Sequence, residues 1–151
     1  MRYLVWAGAI LLTFFLQSRV SVLDIPPDLT AILVFYAGIR HGETKGLLTG
    51  VLIGALEDSI SSSIIGPNLL GKGMVGFSAS FFISGGVFRW TPVLGIVALS
   101  FLTFLDNSIV YLSRSIFDKM PAPPASALFI AVMQSLINAP AGIFIRPKHV
   151  D

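Results

Sequence analysis

The chain has 151 residues, of which 54% are hydrophobic and only 12% are charged, and its mean hydropathy is +0.84. Soluble domains carry about 25% charged residues, so this composition excludes an ordinary water-soluble domain and indicates that lipid surrounds most of the chain. The net charge is only +2 and no basic run is present, which argues against nucleic acid as a partner. Cysteine is absent, so disulfides and thiolate metal sites are excluded.

Six apolar segments are predicted as transmembrane helices, because a helix crosses the bilayer core with about 20 apolar residues. Their ranges are 3–23, 27–41, 46–60, 69–88, 92–112 and 124–145. The expected fold class is therefore an all-α membrane protein, a six-transmembrane-helix bundle in which residues 1–151 form a single integral membrane domain. Gln17, Ser18 and Arg19 follow the first apolar run where a small-residue cleavage site would lie, so that run is predicted to stay uncleaved.

The second segment is short for a full crossing. At ~1.5 Å per residue it covers roughly 22 Å of a ~30 Å core, so it either crosses thinned lipid or re-enters. The distribution of Lys and Arg does not decide between these topologies. Six spans with both termini cytoplasmic, and five spans with an external N-terminus, each place six basic residues inside and three outside. The continuous apolar run LTAILVFYAGI favours six spans.

Prolines and one asparagine predict where several helices begin or bend. Pro27, Pro92 and Pro124 each suit the first turn of a helix, where a missing N–H costs nothing. Pro140 falls inside the last segment and predicts a kink. Asn68 is predicted to cap the fourth helix. Residues 113–123 are predicted to form an outer loop lying on the membrane surface.

Glycines recur at a helical spacing in GIRHGETKGLLTGVLIGALED, residues 38–58. Gly46, Gly50 and Gly54 form one stripe along the third helix. Gly73 and Gly76 are expected to let the fourth helix approach its neighbours closely. Small residues let helix backbones approach closely in lipid, where the apolar effect supplies no attraction between helices. The stripe predicts either packing within the bundle or docking of a helix from another protein.

Polar residues of several predicted helices converge on one depth in the outer half of the membrane. They are Gln17, Glu57, Asp58, Lys72, Asp106 and Asn107. A charge at the bilayer centre costs ~2.5–3.5 kcal/mol on insertion scales, so such residues require a partner or a function. One hypothesis is an internal ion pair between Lys72 and either Asp58 or Asp106. The other is a polar cavity, open to the outside, that binds a partner or a ligand.

No motif predicts a catalytic, cofactor or metal site. GPNLLGKG (66–73) lacks the Ser or Thr that completes a phosphate-binding loop, and GKGMVG (71–76) follows no strand. His41 and His149 have no companion at ligand spacing. Gln134 and Asn138, four residues apart, are predicted to hydrogen-bond between helices.

The chain resembles the bacterial rod shape-determining family MreD. The resembling stretches are PDLTAILVFYAGIRHG (27–42), KGLLTGVLIGALEDSISSSIIGPNLL (45–70) and GMVGF (73–77). The resemblance implies a location in the bacterial inner (cytoplasmic) membrane and contact with an MreC-like single-span protein. It further implies indirect links to MreB, RodA and a class B penicillin-binding transpeptidase. It also implies an architecture similar to the substrate-binding subunits of energy-coupling-factor transporters.

Three hypotheses of function follow. The first is a non-enzymatic membrane scaffold of the rod (elongation) complex, which binds MreC and supports lateral peptidoglycan synthesis and rod cell shape. The second is a solute-binding membrane subunit of a transporter, which would use the same polar cluster as its pocket. The third is a membrane enzyme acting through Asp58, Glu57 or Asp106; it is disfavoured because no histidine accompanies them in the outer half.

Overall fold

The structure is a computed structural model that describes residues 2–22, 24–61, 64–84, 90–117 and 123–147. The described residues fold into helices joined by short connections, which confirms the all-α class. The helices are α1 (Arg2–Gln17), α2 (Leu29–His41), α3 (Glu43–Ile60), α4 (Pro67–Ala79), α5 (Phe81–Ser84), α6 (Pro92–Phe117) and α7 (Pro124–Asn138), followed by the 3₁₀ segment Ala139–Ile143.

Several helix ends differ from the sequence-based ranges. Helix α1 ends at Gln17, six residues before the predicted edge, and a turn at Ser18 and Arg19 follows it. Beyond the turn, Val22 and Ile25 exchange backbone hydrogen bonds of 2.9 and 3.0 Å around Asp24, whose φ is 63°. Helix α6, by contrast, is longer than predicted. It continues to Phe117, so residues 113–117 are helical and do not form the predicted loop. Residues 85–88 and 118–122, parts of the predicted fourth span and outer loop, lie outside the described residues.

Prolines shape three helix starts and one helix end. Pro67, Pro92 and Pro124 each stand in the first turn of α4, α6 and α7. Pro27 does not, since α2 begins at Leu29 after the capping residue Asp28. At Pro140 the α-helix changes to a 3₁₀ helix, because a residue without an N–H cannot close the next α-helical bond.

Helices α3 and α4 form the closest pair of the bundle, and α4 and α2 also pack against α6. Their shared core contains the fully buried side chains Val34, Phe35, Ile53, Leu99 and Leu102. Large apolar side chains nevertheless cover the outside, as expected where lipid is the solvent. The outer faces of α1 and α3 are examples.

Length and hydropathy alone single out two stretches of the described chain that can cross a bilayer, Pro92–Phe117 and Pro124–Ile143. Two further helices, Leu4–Gln17 and Leu29–His41, are apolar but shorter. Helix length by itself therefore identifies two crossings, and any further crossing depends on how the shorter helices pack.

Candidate functional site

A single lysine ammonium group lies among three carboxylates near one end of the bundle. The Nζ atom of Lys72 on α4 is 2.9 Å from Asp106 Oδ2 on α6, 3.0 Å from Glu57 Oε2 on α3 and 3.1 Å from Asp28 Oδ2 before α2. An ammonium carries three N–H donors, so each can point at one carboxylate. The side chains of Lys72 and Asp106 are each only 2% exposed. We call these four residues the Lys72 cluster.

Asp28 joins the Lys72 cluster to the start of α2. Its Oδ1 atom accepts hydrogen bonds from the backbone N–H of Ala31 (2.9 Å) and from the Thr30 hydroxyl (2.7 Å), which makes it the N-cap of the helix. The Thr30 hydroxyl also contacts the carboxylate of Glu57. Asp28 was not among the residues predicted for the cluster, although its position after two prolines and before an apolar run is a helix-start signal.

Asp58 lies next to Glu57 in sequence but outside the Lys72 cluster. Its carboxylate accepts hydrogen bonds from the backbone N–H groups of Gly66 (2.8 Å), Asn68 (3.1 Å) and Leu69 (3.1 Å), and from the side-chain amide of Asn68 (2.8 Å). These donors would otherwise be unsatisfied at the start of α4, where an anion is also favoured by the helix dipole. The predicted Lys72–Asp58 pair is therefore wrong, and so is the predicted cap by Asn68, since Gly66 is the N-cap and Asn68 donates to Asp58.

We expect Asp58→Ala to lower the free energy of unfolding by about 1–2 kcal/mol, because it leaves several partly buried backbone donors without their acceptor. Thermal unfolding of the detergent-purified chain measures the effect. Ser59→Ala is the matched control, since Ser59 is exposed and its hydroxyl donates only to Ala55 of the same helix. Equal unfolding temperatures for the two variants would contradict a capping role for Asp58.

The remaining predicted polar residues lie beside the cluster without touching Lys72. The side-chain oxygen of Gln17 accepts a 3.3 Å bond from the Thr30 N–H and so ties the end of α1 to the start of α2. The side-chain amide of Asn107 donates to the Thr103 carbonyl of its own helix at 3.0 Å. The structure thus brings Glu57, Lys72 and Asp106 into direct contact and places Gln17 and Asn107 around them.

A cavity of about 510 Å³ adjoins the Lys72 cluster. Its polar lining includes Gln17, Asp28, Glu57, Asn68, Lys72, Asn107, Arg114 and Gln134. The lining combines both signs of charge with amide groups, so the space suits water or a polar group. Within the described part of the chain, no group of three His, Cys, Asp or Glu side chains is placed to hold a metal ion.

The glycine stripe of α3 positions the backbone that carries Lys72. A Cβ atom added to Gly46, Gly50 or Gly54 would lie 2.1, 2.1 or 2.3 Å from the carbonyl oxygens of Gly76, Lys72 and Asn68, respectively. Each step of four residues along α3 is thus matched by a step of four backwards along α4. Because α4 of the same chain covers this stripe, it is not a free docking track for another protein.

The two glycines predicted on α4 differ in their contacts. A Cβ on Gly76 would lie 2.1 Å from the Gly46 carbonyl oxygen, so Gly76 belongs to the backbone contact. A Cβ on Gly73 would meet only the side chains of Val51 (3.2 Å) and Leu47 (3.5 Å). Gly76 is therefore the stricter of the two packing positions.

Helix α7 reaches the same end of the bundle through two amide side chains. Gln134 donates to the Pro26 carbonyl at 2.8 Å, and Asn138 donates to the Asp28 carbonyl at 2.9 Å and to the Thr103 hydroxyl at 3.3 Å. The predicted hydrogen bonding between helices is therefore present for Asn138, which bonds to Thr103 of α6, whereas the acceptor of Gln134 lies before α2 and outside any helix. Together these bonds fix the segment that holds Asp28 in place.

Buried charges, close glycine contacts and an apolar exterior together define a helical bundle of the integral membrane class. A comparison with protein families supports this class: the model of the rod shape-determining protein MreD matches residues 1–141. The chain therefore belongs to the MreD family, whose members are membrane proteins of the MreBCD shape-determining system. Comparisons with curated proteins and with solved structures find no match.

Proposed function

We propose that this chain is a non-enzymatic scaffold of the rod complex in the bacterial inner membrane. In that role it binds an MreC-like single-span protein and so supports lateral peptidoglycan synthesis. MreB, RodA and a class B penicillin-binding transpeptidase would be reached through that partner. The observation that carries the proposal is the match to the MreD family over residues 1–141.

The proposal includes six membrane crossings with both termini in the cytoplasm. Helices α1 and α2 are antiparallel over their whole length, since Trp6 lies against His41 (5.6 Å between ring centroids) and Gln17 lies against Thr30. Helix α2 therefore reaches the same depth in the membrane as α1, which argues against a re-entrant α2. Arg40 donates to the Arg146 carbonyl at 3.4 Å, so the end of α2 and the C-terminal segment share one face.

Within this scaffold we assign the Lys72 cluster a structural role, in which its buried ion pairs hold the helices of the bundle together. The cluster links α3, α4 and α6 to the start of α2, and the three N–H donors of the ammonium match its three carboxylate partners. Removing one member of a buried ion pair costs far more than neutralising all of its members together. The proposed arrangement of six crossings, with a polar space at one end, is the part of the proposal that would resemble energy-coupling-factor substrate-binding subunits.

Co-purification tests the scaffold role. We expect the tagged chain, expressed with an MreC-like protein and extracted from native membranes, to retain that protein at a stoichiometric level. An unrelated single-span protein at equal expression serves as the control and should be lost on washing. Recovery of the folded chain without the MreC-like protein would contradict the proposal.

The cavity beside the Lys72 cluster favours one second candidate, a solute-binding subunit of a transporter. Its volume of about 510 Å³ lies within the ~300–1,000 Å³ range of small-molecule sites. A panel of vitamin-sized solutes, added to the purified chain, distinguishes the two functions. A scaffold is expected to show no change in unfolding temperature with any of them. A rise that disappears in Asn107→Leu would instead support the transporter function.

A further inference from the structure

A second groove lies at the opposite end of the bundle, between α1 and α3. It has a volume of about 390 Å³. Its lining consists of Trp6, Ile10, His41, Lys45, Leu48, Thr49 and Leu52. Helix α1 packs mainly on α2, so the space between α1 and α3 stays open to the surroundings. We call this space the α1–α3 groove.

The α1–α3 groove is apolar along its length and cationic at one end. Ile10, Leu48 and Leu52 form its walls, and the two leucines are 63% and 55% exposed. Lys45 is exposed at the end near the α2–α3 turn and makes no ion pair with any carboxylate in the described ranges of the chain. Thr49, also in the lining, donates its hydroxyl to the Lys45 carbonyl at 2.7 Å.

In the topology proposed above, with the end of α2 on the cytoplasmic side, the aromatic residues at the cationic end lie at the level of lipid headgroups. Trp6 stands edge-on to His41, with 5.6 Å between ring centroids, and Trp is enriched at both membrane–water interfaces. Basic pockets between helices near the cytoplasmic surface are characteristic sites for anionic headgroups. A groove that combines such an end with apolar walls complements a molecule carrying a phosphate and a hydrocarbon chain.

We propose that the α1–α3 groove binds one anionic phospholipid. Its phosphate lies against Lys45 and His41, and one acyl chain lies along Ile10, Leu48 and Leu52. A zwitterionic phospholipid satisfies the apolar walls equally well, but its own cationic headgroup already neutralises its phosphate, so only an anionic phospholipid supplies Lys45 with an uncompensated counter-charge. The charge at the end of the groove therefore selects the headgroup. The apolar walls favour a lipid with an acyl chain over a free phosphate ion.

Native mass spectrometry of the full chain in detergent tests this site. The probe is an equimolar mixture of phosphatidylglycerol and phosphatidylcholine with identical acyl chains. We expect the wild-type chain to retain one phosphatidylglycerol in preference to phosphatidylcholine, and Lys45→Ala to reduce this preference about five-fold. Arg19→Ala is the control, because Arg19 is exposed and stacks on Phe15 at the other end of α1. Equal retention of the two lipids, or an equal loss in both variants, would overturn the proposal.

Two further measurements test whether an acyl chain, and not only a phosphate group, occupies the α1–α3 groove. Leu48→Trp is expected to lower phosphatidylglycerol retention with an unchanged unfolding temperature, since it fills the groove at an exposed position. Excess inorganic phosphate is expected to leave the bound lipid in place. Unchanged retention in Leu48→Trp, or displacement by phosphate, would contradict an acyl chain in the groove. Retention is measured on the isolated chain, so its result is independent of partner capture.

Discussion

Replacement of Lys72 by alanine is expected to prevent most of the chain from accumulating in a folded state. The variant leaves the carboxylates of Asp28, Glu57 and Asp106 buried side by side without their only cationic contact in the described structure. Removing one partner of a buried ion pair costs about 3–5 kcal/mol. That loss is a large part of the roughly 5–15 kcal/mol that stabilises a typical protein.

Fluorescence-detected size-exclusion chromatography of membrane extracts measures this loss as a fall in the monodisperse peak. Arg19→Ala is the control, because it removes an exposed basic side chain that makes no ion pair in the described chain. We expect the control to give the wild-type peak. If Lys72→Ala and Arg19→Ala gave equal peaks and equal unfolding temperatures, the Lys72 cluster would not stabilise the bundle.

The second large effect is expected from Gly50→Ala. The added methyl group would lie 2.1 Å from the Lys72 carbonyl oxygen and 2.6 Å from its carbonyl carbon, so backbone must move to admit it. Overpacking of this kind typically costs about 1–3 kcal/mol. Here it also shifts the segment that carries the Lys72 ammonium. We therefore expect a marked fall in the unfolding temperature of the purified chain.

Two other glycines provide graded controls for Gly50→Ala. A methyl group at Gly8 of α1 meets nothing within 4 Å, and alanine favours a helix, so Gly8→Ala should not destabilise the chain. Gly73→Ala presses only on the side chains of Val51 and Leu47 and should fall between the two. Any other order of unfolding temperatures would mean that the α3–α4 contact does not limit stability.

The sequence was sufficient to predict the helical class, because a chain with 12% charged residues has too little polar surface to face water. It was less informative at helix ends, which depend on local turns. Helix α1 is followed by a turn and a backbone bridge between Val22 and Ile25 inside the range predicted as helical, and α6 continues past residue 112 without any residue that stops it. Apolar patterning carries no signal for either feature.

The carboxylates show why the site was predicted only in part. Glu57 and Asp58 are adjacent, so their side chains point about 100° apart around α3 and only one can face Lys72. Asp58 continues the four-residue spacing of Gly46, Gly50 and Gly54, and that stripe faces α4. The spacing therefore contained the signal that Asp58 meets the start of α4 and leaves Glu57 for the Lys72 cluster.

Asp28 was missed for a different reason. The predicted second span, 27–41, begins one residue before Asp28 and so places this carboxylate at the edge of the span, whereas in the structure α2 begins at Leu29 and Asp28 is its N-cap. Its contacts include ones that no local pattern encodes, such as the bond from Asn138 to its carbonyl at 2.9 Å. Those two residues are 110 positions apart in the chain.

The scaffold function and the structural role of the Lys72 cluster are tested most directly by partner capture with a variant in which the whole cluster is neutral. This variant combines Lys72→Met with Asp28→Asn, Glu57→Gln and Asp106→Asn, and it keeps side-chain volume and the helix cap because asparagine also caps helices. We expect it to fold and to retain the MreC-like protein as the wild type does. A folded variant that no longer captures that protein would contradict a purely structural role of the Lys72 cluster, because it would place the buried charges in the binding site itself.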